Sequence, residues 1–245
     1  MQNRYVGDIG DYVKLAILRE LAPGRSLGVV WWLFPNEDHN ADGSHRKYLE
    51  QHTEWKRFDP GLFEALLEIN KQNELDVSAL EKASGFRNAV FVSDPVPCEI
   101  RPFTQRPTER NRWLGKIKEK LKDCDLVFLD PDNGIASERL KLTQRCAGKS
   151  VTIDDIKALQ ANNRPMVVYH HQTRFKGGHS SEIHHLSARL RKSGIHVSGA
   201  LRAKPWSPRL FFILNGDREL HDRAKSIAEK WGSLISWHPD LTNRW

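Results

Sequence analysis

The pentapeptide Asp130-Pro-Asp-Asn-Gly134 places two carboxylates one residue apart in a turn. The proline fixes the local backbone, so the first carboxylate and the nearby carbonyls can hold an amino group in a defined orientation. The same two carboxylates, Asp130 and Asp132, can instead ligate Mg²⁺ with help from Glu37, Asp38 or Asp42, and a metal-bound water can then attack a phosphodiester. A tight turn without chemistry is the third interpretation.

Three polar loops, this turn among them, follow apolar runs that are typical of buried strands. Leu126 to Leu129 precedes the turn, Ser26 to Phe34 precedes the loop 35–43, and Pro165 to Tyr169 precedes the loop 170–179. Ligands of open α/β sheets bind beyond the carboxyl ends of the strands. We therefore expect the three loops to meet at one site.

Helical and strand patterns alternate along the 245 residues. Amphipathic or capped helices are predicted at 12–21, 60–71, 77–83, 108–122, 180–192 and 218–231, and a closing strand pair at 195–201 and 209–214. The alternation predicts a single α/β, Rossmann-like domain over 1–245, with a mostly parallel central sheet, an antiparallel C-terminal strand pair and a helical or loop insertion at about 45–122.

Two motifs resemble those of a known enzyme class. The strand 126–129 followed by Asp130-Pro131 resembles the catalytic motif of class I AdoMet-dependent amino-methyltransferases, and Gly10-Asp11-Tyr-Val-Lys14 is similar to the N-terminal lid helix of bacterial 23S rRNA adenine methyltransferases. The order of the later strands also follows that family. The resemblance implies a Rossmann-like fold and S-adenosyl-L-methionine (AdoMet)-dependent transfer of a methyl group to an exocyclic amine of a base.

The resemblance also implies roles for individual residues. Asp130 and the carbonyl of Pro131 would accept hydrogen bonds from the target amine and orient it, and Asp132 and Asn133 stand where the family has a second proline and an aromatic residue. The cofactor side would comprise Asp11 and Lys14, with Asn36 and Glu37 from the loop after the first strand. That strand ends Trp-Leu-Phe-Pro35, without the glycine-rich turn that such enzymes use for close approach to the cofactor.

Charge predicts a polyanionic partner. The formal net charge is +7, and two stretches are strongly basic: ten Lys or Arg against one acid over 156–216, and eight against two over 101–122. We expect these stretches to bind RNA or DNA phosphates, although a solvated basic surface has the same composition. The predicted substrate-binding residues are Arg110, Arg112, His170, His171, Arg174 and Lys176. Trp113, Trp206 and Phe103 lie among the basic residues and can stack on bases.

Two further function classes stay open on these residues. One is the Mg²⁺-dependent nuclease that uses Asp130 and Asp132, and the other is a non-catalytic nucleic-acid-binding domain that has lost its cofactor. Five of the eleven histidines fall between 170 and 185 without a neighbouring cysteine, which favours a polar cleft lining over a zinc site. No apolar run has the length of a membrane span, and three cysteines without a C-x-x-C pair favour the cytoplasm.

Overall fold

The computed structural model describes residues 1–37, 45–73 and 75–239. Seven strands form one sheet in the order β2-β1-β3-β6-β8-β7-β9, and the short β4 and β5 form a separate pair. Their bounds are β1 Leu27–Val30, β2 Val90–Val92, β3 Leu126–Leu129, β4 Gly134–Ile135, β5 Ser150–Val151, β6 Met166–His171, β7 Val197–Ala203, β8 Arg209–Leu214 and β9 Ile235–Pro239.

The sheet is parallel in its first half and antiparallel in its second. Strands β2, β1, β3 and β6 run parallel. Strand β8 is antiparallel to both β6 and β7, and β9 is antiparallel to β7. The predicted Rossmann-like α/β class with an antiparallel closing pair is thus confirmed. The edge strand β9 was not among the predicted strands.

Eight α-helices connect these strands in the described part of the chain. They are α1 Ile9–Leu21, α2 His52–Trp55, α3 Pro60–Gln72, α4 Val77–Ala83, α5 Arg106–Lys120, α6 Ile153–Leu159, α7 Gly178–Lys192 and α8 Arg218–Trp231. Helix α1 begins earlier than the expected Tyr12, because Asp8 caps it by accepting the Asp11 N–H at 3.0 Å. Asp11 therefore belongs to the first turn.

Two apolar cores cover the two faces of the sheet. Helices α1, α3 and α8 contribute to the first core, and α5, α6 and α7 to the second. Successive residues of one strand alternate between the two cores, as Phe128 and Leu129 do in β3. Burial on both faces is why the central strands are largely apolar runs.

The segment 45–122 contributes to the sheet as well as to the helices. It contains β2 and helices α2 to α5, and its Tyr48, Trp55 and Phe63 pack around Tyr12 of α1. The Tyr12 hydroxyl donates to the Trp55 carbonyl at 2.7 Å and accepts the Asp59 N–H at 3.0 Å. This aromatic cluster fixes α1 against the sheet. None of the described helices combines the length and the apolar character that crossing a bilayer requires.

Candidate functional site

A cavity of about 320 Å³ opens at the carboxyl ends of β3 and β6. Its walls come from the start of α1, the turn after β3, the end of β6 and the start of β8, and its lining includes Asp11, Lys14, Asp130, Pro131, His171 and Arg209. The volume lies at the lower end of the range for small-ligand sites. The two sequence motifs that carry the methyltransferase resemblance thus lie in one cavity.

Lys14 joins the two motifs. Its ammonium lies 2.7 Å from Asp130 Oδ2 and 2.9 Å from Asp11 Oδ1, and all three residues are at most 4% exposed. Within the described chain Lys14 is the only side chain that bonds to the Asp130 carboxylate, and it does so through Oδ2. The other oxygen, Oδ1, is therefore available to a ligand in the cavity.

Burial and charge act against each other at this cluster. Burial alone would lower the pKa of Lys14, but the carboxylates of Asp11 and Asp130 raise it above its ordinary value, so the ammonium stays charged. Burial raises the pKa of Asp130, although Lys14 and the N-terminal ammonium oppose this shift. Burial likewise raises the pKa of Asp11. One ammonium is shared by two buried carboxylates, which makes each a better proton acceptor than an ordinary aspartate.

The turn after β3 holds Asp130 by its local geometry. Pro131 ends the strand, and Gly134 returns the chain with a φ of 90°. A Cβ at Gly134 would lie 2.4 Å from the Cα of His170, so only glycine fits here. The Ile135 N–H then donates to His170 Nδ1 at 3.0 Å. These contacts tie the turn to the end of β6.

Asp132 binds the N-terminal residues. Its Oδ2 accepts from Gln2 Nε2 at 2.7 Å, and its Oδ1 lies 3.5 Å from the Met1 ammonium. The same ammonium donates to the Asp130 carbonyl at 3.0 Å. Asp130 and Asp132 therefore have different cationic partners, and the carboxylate of Asp132 has a structural role that the sequence did not suggest. Asn133, which also lines the cavity, donates its N–H to the Lys149 carbonyl at 2.8 Å.

The described part of the loop after β1, residues 31–37, does not line the cavity. Asn36 Oδ1 accepts the Arg4 N–H at 3.3 Å. Glu37 forms ion pairs with Lys149 and Arg145, and its N–H donates to Gln2 Oε1 at 3.0 Å. The predicted metal ligands Asp38 and Asp42 lie outside the described residues.

Of the predicted cofactor residues, the cavity lining includes Asp11 and Lys14 but neither Asn36 nor Glu37. In the described ranges, no group of three or more His, Cys, Asp or Glu side chains is arranged to hold a metal ion.

The predicted substrate residues divide between interior and surface. Arg110 is 4% exposed and pairs with Asp155 at 2.6 Å. It also donates to the carbonyls of Ala147 and Ser150. It therefore joins α5 to α6 and is buried instead of facing a polyanion. Arg112 is exposed on the same helix and pairs with Glu109. Arg174 and Lys176 are exposed on the loop before α7. None of these four cations lines the cavity.

The two adjacent histidines have different surroundings. His170 is buried, and because its Nδ1 accepts the Ile135 N–H, its Nε2 carries the proton that faces Glu182 Oε1 at 3.4 Å. Burial alone would raise the pKa of Glu182, but hydrogen bonds from His170 and Thr173 lower it to about 2. His171 lines the cavity.

Sequence reasoning did not assign several residues to the site. Asp8, Tyr169, Ser207 and Arg209 line the cavity, and burial raises the pKa of Tyr169 to about 12. Trp206, the neighbour of Ser207, is 48% exposed with a φ of 58°, and its ring lies 6.3 Å from that of His45 in the lining. The available signal was that Arg209 is the first residue of the predicted strand 209–214.

The chain was also compared with known proteins. It matches no protein-family model, no curated protein and no solved structure.

Proposed function

We propose that the protein is an enzyme that acts on an exocyclic amino group of a nucleic-acid base, and that this group binds beside Asp130. The observation that carries the proposal is the 2.7 Å contact between Lys14 Nζ and Asp130 Oδ2. It brings together two motifs 116 residues apart at the carboxyl edge of the sheet, where ligands of α/β folds bind. Methyl transfer is the reaction class that the resemblance of these motifs favours.

The chain's own groups suit an amine. Asp130 Oδ1 can accept a hydrogen bond from the amino group. Pro131 lines the same cavity, and its carbonyl can accept a second one. Lys14 holds the carboxylate in one orientation through Oδ2, so the amine meets a positioned acceptor. Burial raises the pKa of Asp130, which lets the carboxylate take a proton from the amine as the reaction proceeds.

The end of β1 does not fit AdoMet in the family's manner. Trp32 has a φ of 49°, a conformation typical of glycine, but its ring is fully buried. The Met1 ammonium lies 3.4 Å from the Trp32 carbonyl, and the Phe34 N–H donates to the Met1 carbonyl at 2.9 Å. The main chain that would approach a cofactor is therefore covered by Met1. The proposal rests on the amine side of the site.

The metal-dependent nuclease has less support. Its two ligands, Asp130 and Asp132, are bound to Lys14 in one case and to Gln2 and the Met1 ammonium in the other. A divalent cation between them would have to displace these groups. The exposed part of the basic surface, which includes Arg174 and Lys176, is compatible with nucleic acid in either case.

The test measures modification and binding together. The protein is incubated with RNA and DNA oligonucleotides and AdoMet, the products are analysed by mass spectrometry for a methylated base amine, and AdoMet affinity is measured by calorimetry. Asp130→Asn should abolish modification, whereas Asp94→Asn, on an exposed loop, should not. Asp132→Asn should have a mild effect, because asparagine can still accept from Gln2. Mg²⁺-dependent cleavage that Asp132→Asn abolishes would replace this proposal with the nuclease. The absence of both reactions, together with the absence of oligonucleotide binding, would overturn the proposal.

A further inference from the structure

Arg209 is a buried cation with one free edge. It is 5% exposed, lies at the start of β8 and lines the cavity. Its Nη1 donates to the carbonyls of Pro205 and Ser207, each at 2.8 Å. In the described ranges no carboxylate forms an ion pair with it, and its Nε and Nη2 make no hydrogen bond. A guanidinium is always charged, and a buried charge that forms no ion pair is costly, so this edge is suited to an anion.

The neighbouring backbone approaches that edge closely. Gly10, the second residue of α1, lines the same cavity, and a Cβ at this position would lie 3.0 Å from Arg209 Nε and 3.1 Å from Nη2. A side chain at this position would therefore obstruct the pair of donors that can bind two oxygens of one anion. The carboxylate beside this edge is Asp8, whose Oδ1 already accepts the Asp11 N–H as the cap of α1.

Two further donors lie next to Arg209. His171 is its direct partner across the β6–β8 ladder and also lines the cavity, and side chains at such opposite positions are neighbours. Ser207, whose carbonyl holds the guanidinium, adds a hydroxyl to the same lining. A planar cation, an imidazole and a hydroxyl together are typical partners of a phosphate group.

We propose that Arg209, His171 and Ser207 form a phosphate subsite of the cavity, so that the amine bound at Asp130 belongs to a nucleotide unit. This inference rests on the proposed function and specifies its substrate. The phosphate can be the monoester of a free nucleotide or the diester of a nucleic acid. Both sources present the same oxygens to the Arg209 edge, and the experiment separates them.

Calorimetry with the full chain compares adenosine, adenosine 5′-monophosphate and a short adenine dinucleotide, with cytosine counterparts as a second series. We expect the phosphate-bearing ligands to bind at least ten-fold more tightly than the nucleosides. Tighter binding of the monophosphate identifies a free nucleotide as the substrate, and tighter binding of the dinucleotide identifies a nucleic acid. Equal affinity for nucleoside and nucleotide in both series would overturn the subsite.

Two variants locate the subsite. Arg209→Gln should remove the advantage of the phosphate and leave nucleoside affinity unchanged. Gly10→Ala should do the same by obstructing the Nε–Nη2 edge, while alanine favours the helix. The matched control is Gly115→Ala in α5, where a Cβ meets open space. If Gly10→Ala is folded and retains the ten-fold advantage, the subsite is wrong.

The two proposals can fail separately. If Arg209→Gln loses the phosphate-dependent binding but the wild type does not modify the amine, the subsite is supported and the proposed function is refuted. If the wild type modifies the amine, Asp130→Asn abolishes this activity, and nucleoside and nucleotide bind equally well, the proposed function is supported and the subsite is refuted.

Discussion

Replacement of Lys14 by methionine isolates the charge at the centre of the site. Methionine has a similar length and helix propensity, so the substitution removes the ammonium and keeps most of the packing. The carboxylates of Asp11 and Asp130, 2.9 and 2.7 Å from the ammonium, then lose their shared cation. The Met1 ammonium, although it also pairs with Asp132, still favours the ionised form of Asp130. We therefore expect the other carboxylate to take up a proton on folding.

The magnitude follows from that proton. The pKa of an unfolded aspartate is about 3.9 and each pH unit is worth about 1.4 kcal/mol, so protonation at pH 7 costs about 4 kcal/mol. This agrees with the roughly 3–5 kcal/mol lost when one partner of a buried ion pair is removed. A carboxylate whose folded pKa is raised above its unfolded value contributes stability at low pH and loses it as the pH rises. The loss of unfolding free energy in Lys14→Met, relative to the wild type, is the deficit to be measured. It should therefore shrink by about 1.4 kcal/mol per pH unit from pH 7 to pH 5.

Urea unfolding at pH 5, 6 and 7, followed by tryptophan fluorescence, measures the deficit. The control is Lys56→Met, which removes an exposed lysine paired with Glu64 and should change the free energy of unfolding little. Adding Asp130→Asn to Lys14→Met should recover part of the loss, because it removes one of the two stranded carboxylates. A deficit no larger than that of Lys56→Met at pH 7, or one that does not shrink toward pH 5, would refute the reasoning.

Three further predictions address the rest of the structure. Arg110→Met should lower the free energy of unfolding by about 3–5 kcal/mol because it strands buried Asp155, while exposed Arg112→Met should not, as urea titrations of both variants would show. Because the pKa of Glu182 is lowered, this carboxylate contributes stability above its ordinary pKa of 4.5 that is lost as the pH falls to about 2. Circular dichroism in acid should therefore show a shallower loss of structure for Glu182→Gln. Trp206→Ala should weaken oligonucleotide binding by about 1–3 kcal/mol if the half-exposed ring stacks on a base, measured by fluorescence anisotropy with unfolding as the control.

The predictable part of the fold is the part whose strands are buried on both faces. Burial on both faces makes β3 and β6 continuous apolar runs, which a single sequence displays. Strand β9 has a mixed sequence and is mostly half-buried. It is a strand because β7 offers it an antiparallel partner, and that information is tertiary. The start of α1 was misplaced because Asp8 and Asp11 are both acceptable caps, and only the geometry selects Asp8.

The site was predictable where residue type and strand position agree. Asp130 directly follows an apolar strand, so its place at the carboxyl edge follows from the fold class. Arg110 shows the limit of charge as a signal, since its partner Asp155 is 45 residues away and the sequence does not show that the two meet. Arg209 was counted as surface charge for the same reason, although it is buried in the cavity wall.

The aromatic cluster around Tyr12 has a consequence for how the site moves. Tyr12 lies two residues before Lys14 on α1, and its hydroxyl bonds to the segment that leads into α3. Local opening of α1 would have to break these bonds and expose four aromatic rings together, so the helix belongs to a cooperative unit with α3. Its amide protons should exchange with solvent at rates set by unfolding of that whole unit. The lysine is thus presented by a rigid element, and we expect any adjustment to a bound ligand to occur in the loops on the other walls of the cavity.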